Sequence, residues 1–243
     1  MEAFWSGWWW PAATAVLGSV YTALVLAQWW SRRKPHQLAW AVGLAMYTIA
    51  AIMEALSEGT GSWNPGVYRV YIVLAASLVG FLGLGTLYLM ARKRVWGHIY
   101  LAYNLVAVAV FLYGTLTAKL VTANLVPGIT VGGSALGATF SFPRVMSFAF
   151  NIPGTIFLLG GAVLSVVRFS RKQEYAYRMW ANVLIALGTI IIAGAGSMAR
   201  AGQTVGLYPA EMVASALLLW GFLKASTLQK GVNAIKENYS AAQ

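Results

Sequence analysis

A chain of 243 residues in which 59% are hydrophobic and only 9% are charged cannot be an ordinary soluble domain, because such domains carry about 25% charged residues. It has no Asp and no Cys, which removes disulfides, thiolate chemistry and Cys-ligated metals. The formal charge of +11 does not indicate nucleic acid as a partner, because the basic residues form short clusters between apolar runs, as in proteins oriented across a bilayer.

The chain opens "MEAFWSGWWWP", without a basic leader or a small-residue cleavage site, so it is not read as a cleaved signal peptide. Trp5, Trp8, Trp9 and Trp10 suit an outer interfacial belt. Seven apolar runs follow, at about 12–30, 38–57, 67–90, 96–116, 145–167, 179–198 and 207–223. Each is near the ~20 residues needed to cross ~30 Å of hydrocarbon. Lipid offers the backbone no hydrogen bonds, so the runs are expected to be helices. The expected fold is an all-α integral membrane protein whose seven-helix domain occupies 1–224. A tail follows at 225–243, with Leu228, Val232, Ile235 and Tyr239 on one stripe, compatible with an amphipathic helix on the membrane surface or with a frayed end.

Charge sorts by loop. Arg32, Arg33 and Lys34 follow the first run, Arg92, Lys93 and Arg94 the third, Arg168, Arg171, Lys172 and Arg178 the fifth, and Lys224, Lys230 and Lys236 the seventh. Thirteen of the seventeen basic residues thus share one side. The positive-inside rule puts that side in the cytoplasm and the N-terminus outside, in a plasma or inner cell membrane.

Sliding the chain over itself by 140 residues aligns run 2 with run 6 and run 3 with run 7 without a gap. Between Trp40/Trp180 and Val79/Leu219, eleven of forty pairs are identical, among them Tyr68/Tyr208 and Ala76/Ala216. The expected layout is therefore two parallel repeats, 12–90 and 145–224, joined by a linker helix at 96–116 and an outer loop at 117–142. In architecture this 3+1+3 layout resembles the SWEET family of sugar carriers, and seven helices with an outside N-terminus are similar to rhodopsins and G-protein-coupled receptors. The resemblance implies a shared layout and carries no residue motif with it.

Glu54 and Glu58 interrupt run 2, and a charge in a bilayer needs a reason. Glu54 lies ~24 Å from the basic end of its helix. The same layer receives Arg69, Arg144, Arg200 and Glu211. These six charges are expected to meet, with cations beside Glu54, as an outward-facing vestibule or as structural ion pairs between helix ends. In run 5, "SFAFNIPGT" places Asn151 beside Pro153, which cannot donate to the carbonyl of Ala149 and disturbs the helix there. Asn151 and Pro153 are thus further candidates for contact with a bound molecule, and Asn104 for an interhelical hydrogen bond. Gly-rich "VGFLGLGTL" and "LLGGA" suit close helix packing and are not phosphate loops. In the outer loop, Pro127-Gly128 suits a hairpin lid, and an irregular loop on the membrane is the alternative.

No lysine lies in run 7 for a retinal Schiff base. His36 and His98, the only histidines, sit at basic helix ends, a poor setting for haem or zinc. No cofactor, metal site or catalytic set is expected. Two functions remain open. One is a receptor-like or accessory subunit that binds a small molecule, lipid or partner in the vestibule, with the bilayer around it and a partner protein at the basic loops. The other is a small-solute transporter built on the 3+1+3 plan.

Overall fold

The computed structural model describes residues 7–138, 140–170 and 176–241, with side chains apart from those at 169–178, 182 and beyond 225. Among these it is all helical. Helices α1 (Trp9–Arg32), α2 (Pro35–Thr60), α3 (Pro65–Met90) and α4 (Val95–Thr117) precede the loop. After it come a short α5 (Phe142–Met146), α6 (Phe148–Ser170), α7 (Ala176–Arg200) and α8 (Leu207–Ala241). Six stretches are long and apolar enough to cross a membrane: α1, α2, α3, α4, Phe142–Arg168 and Met179–Arg200. The chain is accordingly a multi-pass membrane protein. The backbone of α8 stays helical through Ala241, while the side chains of the expected tail stripe lie outside the described residues.

Local signals account for the boundaries. Pro35 and Pro65 open α2 and α3, where a missing N–H costs nothing. Asn64 caps α3, its side chain accepting from Gly66 N at 2.8 Å and Val67 N at 3.4 Å. Gly61, at φ +72°, ends α2 in the left-handed region while Ser62 N reaches back to Ser57 O at 3.1 Å. Arg33 ends α1 the same way at φ +50°, its guanidinium 4.7 and 4.4 Å above the Trp29 and Trp30 rings.

The helices pack as a ring: α1 on α2, α2 on α3, α3 on α6, α6 on α7, α7 on α8, and α8 back on α1. Helix α4 lies outside the ring against α3. Its outer face exposes Leu105, Val106 and Tyr113, as expected where lipid is the neighbour. The ring's closure rests on glycine. A Cβ on Gly83 of α3 would stand 2.7 Å from Gly154 Cα of α6, and one on Gly154 would stand 2.4 Å from Val79 O. Only backbone on backbone fits there.

Polar side chains secure α4. Asn104, fully buried, donates to Gly80 O at 3.3 Å, the interhelical bond its position suggested. The Tyr103 hydroxyl donates to Ala149 O at 2.9 Å, the carbonyl that Pro153, four residues on, leaves without its helical partner. At the basic end Tyr21 meets Phe222 at 5.1 Å, and Trp40 Nε1 donates to Leu82 O at 3.1 Å. Val25, Ala41 and Leu44 are buried among these side chains.

The loop between α4 and α5 is not a hairpin. It turns through three short 3-10 segments, Thr122–Asn124, Thr130–Gly132 and Ser134–Leu136. Gly128, Gly133 and Gly137 take φ of +75°, +78° and +99°, and such repeated reversals leave no run long enough for paired strands. Thr130, fully buried, donates to Val126 O at 2.7 Å. Gly132 sits where a Cβ would be 2.4 Å from Ala199 O. The loop therefore folds down onto the end of α7.

Two substitutions separate this packing from general intolerance. Gly154→Val overpacks the α3–α6 contact and should cost at least about 1–3 kcal/mol. Gly160→Ala, where a Cβ meets nothing within 4 Å, should leave the thermal midpoint in detergent unchanged. Equal midpoints for the two variants would contradict the tight crossing.

Candidate functional site

Helical spacing of seven and four residues carries Tyr47, Glu54 and Glu58 along one face of α2. All three acids of the expected cluster lie together near the loop end of the ring, but their partners are not arginines. Glu54, only 3% exposed, accepts from the Tyr71 hydroxyl of α3 at 2.6 Å. The carboxyl of Glu211 from α8 lies beside it. Two carboxyl groups side by side in a buried place hold two charges only at a cost, which a proton shared between them would relieve. Glu211 Oε2 is buried without a hydrogen-bond partner among the described residues. Tyr47 extends the link from α2 to α8: its hydroxyl lies 2.7 Å from Ser215 Oγ, which donates to Glu211 O at 2.7 Å.

Glu58 does something different. Its carboxylate accepts from Trp63 Nε1 at 3.1 Å and from Gly128 N at 3.1 Å. It thereby latches the loop to α2, beside an aromatic group in which Trp63 stands 4.9 Å from Tyr71.

The arginines separate. Arg69 turns away from the acids and donates to the carbonyls of Thr115 and Ala118, at 2.9 Å to the latter. It holds the end of α4 and lines no part of the cavity described next. Arg144 donates to Gly137 O at 3.2 Å and Arg200 O at 3.0 Å. The Arg200 side chain, partly buried beside Arg144, makes no ion pair or hydrogen bond with any described residue. The cationic neighbours expected for Glu54 are thus replaced by a phenol and a second carboxyl, chemistry that suits a buried site better than a charge pair does.

Within the ring lies a cavity of about 730 Å³, in the range of small-molecule sites. Glu54, Tyr71, Glu211, Arg144 and Arg200 line its loop end, and Val131 and Leu136 of the loop roof it. Its depth is lined by apolar side chains such as Leu44, Leu82, Ile156 and Leu218. Asn151 faces it while donating to Ser147 O at 2.7 Å. Pro153 does not reach it, and contributes through the carbonyl that Tyr103 takes up.

No protein-family model, curated protein or solved structure matches this chain.

The functional residues least visible in the sequence are the hydroxyl groups, Tyr71 and Ser215 above all. One sequence signal bears on Tyr71: at the 140-residue offset Glu211 falls on it. His36 packs on Trp40, and His98 Nδ1 lies 3.0 Å from the Tyr88 hydroxyl, both at the basic end. No group of three metal-ligating side chains occurs among the described residues.

The acid pair makes a graded prediction. Glu54→Gln keeps an acceptor for Tyr71 and supplies a donor for Glu211, so it should cost less than about 1 kcal/mol. Glu54→Ala strands both partners and should cost about 2–3 kcal/mol. Thermal unfolding in detergent checks the order. Infrared spectroscopy should detect a protonated carboxyl that the Glu54→Gln/Glu211→Gln double variant lacks.

Proposed function

We propose that the chain is a seven-span receptor-like or accessory membrane subunit that binds a small, largely apolar molecule inside its helical ring. The cavity itself carries this reading. It has the volume of a small-molecule site, a largely apolar wall, and a roof made by a loop latched through Glu58 and Gly128. Such a shape favours holding a ligand over passing it through. The seventh span would be the first half of α8, with the basic loops cytoplasmic and the roofing loop outside. Output would pass to a partner protein at the basic face.

Transport is the second reading, and one observation favours it. The ring order is what two parallel triplets, α1–α3 and α6–α8, would produce, with α4 as the excluded linker. Tyr68 and Tyr208, equivalent under the repeat, are both buried, at 0% and 2% exposure. A carrier of the 3+1+3 type would place its substrate between the triplets, where the cavity lies.

Native mass spectrometry of gently extracted protein tests binding directly. A small-molecule adduct is expected with the wild type and its loss with Ala193→Trp, which fills the cavity wall; an adduct equally abundant in both would oppose the reading. Uptake by proteoliposomes that Ala193→Trp abolishes would favour the carrier. Orientation is open to a clean test because the chain lacks cysteine. A cysteine at Ser134 should label in intact cells and one at Lys93 only after permeabilisation. The reverse pattern would overturn the proposed topology.

A further inference from the structure

We infer that the cavity takes an amphiphile with an anionic head, seated at Arg200 and Arg144, its apolar chain extending into the ring. The inference rests on the binding role proposed above and adds the chemistry of the ligand. Two chambers meet at these arginines. The large one, of about 730 Å³, runs down the ring between apolar side chains. A second, of about 320 Å³, lies toward the loop and adds the hydroxyl-bearing Ser134 and Thr204. Gly132, Arg144, Ala199 and Arg200 line both.

Charge at this junction is unbalanced. Arg144 is fixed by two backbone carbonyls, which orient its guanidinium without neutralising it. Arg200 has no carboxylate partner among the described residues and lies close enough to Arg144 for the two cations to repel. The acids that might have compensated them are engaged elsewhere. Glu58 latches the loop, and Glu54 accepts from Tyr71 beside Glu211, so none of the three pairs with an arginine among the described residues. The two guanidinium groups in the wall of the large chamber therefore have no ion-pair partner among the described residues. Unpaired charge inside a membrane protein is costly, and in such sites it faces a partner or a substrate.

Polarity along the cavity defines the other end of the ligand. A hydrocarbon would leave the guanidinium groups unanswered, and a bare inorganic anion would leave the chamber lined by Leu44, Val79 and Ile192 unfilled. A cationic head would meet two arginines. A carboxylate or phosphate satisfies the planar donors of one or both arginines, and an alkyl chain below it fits the apolar depth.

The test is equilibrium binding to full-length protein in nanodiscs of zwitterionic lipid, with labelled octanoate, dodecanoate and palmitate as probes. Dodecanol and dodecyltrimethylammonium serve as competitors. At least one alkanoate should be retained, with dodecanol competing about ten-fold or more weakly and the ammonium compound more weakly still. Arg200→Gln should lower alkanoate affinity about ten-fold and bring dodecanol level with dodecanoate, while Arg200→Lys restores part of the preference. Dodecanol as effective as dodecanoate against the wild type, or a preference for the ammonium compound, would overturn the anionic head and leave the cavity reading intact. Retention of neither acid nor alcohol would overturn both. Displacement of the bound alkanoate by an anionic phospholipid added to the nanodisc would identify the bilayer as the ligand's source, and failure to displace it would identify the aqueous phase; the head chemistry holds in both cases.

Discussion

Backbone meets backbone where α3 crosses α6, and the enclosure depends on that contact. Lipid chains are as apolar as leucine, so helices in a bilayer associate through close packing and a few polar bonds. Gly83 and Gly154 permit an approach that any side chain would prevent. With these two helices pressed together, the first three and the last three can bend into one ring, and a central space results. Gly161, where a Cβ would strike the Thr86 side chain, extends the same seam toward the basic end.

The polar groups then arrange themselves by what burial permits. A buried ion pair must overcome the desolvation of both partners, whereas a carboxyl that shares a proton or accepts from a phenol presents far less charge to a dry surrounding. Glu54 takes that course with Tyr71, beside Glu211. Glu58, nearer the loop, can accept from a backbone N–H that would otherwise need water, so ordering the acid and ordering the loop become a single event. The arginines lose their obvious anions as a consequence. Arg69 takes carbonyls at the end of α4, and Arg144 takes those of Gly137 in the loop and of Arg200 at the end of α7, where helix termini offer unpaired oxygens. Arg200, at the last turn of α7, is left over.

Much of this was legible in the sequence. Hydropathy and length marked every long helix, because a membrane imposes one solution on each apolar run. The 24 Å depth assigned to Glu54 put it in the layer where Glu211 and the loop are found. Polar pairing was not legible, because charge in a sequence suggests attraction between opposites, while burial favours neutral partners; Tyr71 and Ser215 carry no charge and drew no notice. The loop's shape escaped for a related reason. Its β-prone residues suggest strands, but Gly128, Gly133 and Gly137 reverse the backbone too often for strands to form. Pro153 was legible only in half. It announces a carbonyl at Ala149 without a partner, but nothing in the sequence says that Tyr103, on a helix outside the ring, will supply one.

That bond gives α4 a mechanical role. Asn104 grips α3 through Gly80, while the adjacent Tyr103 grips α6 through Ala149, so the linker spans the outside of the seam that the glycines close from within. The opposite seam, where α8 meets α1, has neither close glycine contacts nor a covering helix among the described residues. Tyr21 against Phe222 bridges it, and inside the ring the Tyr47–Ser215 bond ties α2 to α8, with Glu54 beside Glu211. These are side-chain contacts, which rotamer changes can release. The ring is thus held in two unlike ways: backbone against backbone at α3–α6, and side chains alone at α8–α1, with Glu54 of α2 and Glu211 of α8 side by side between them.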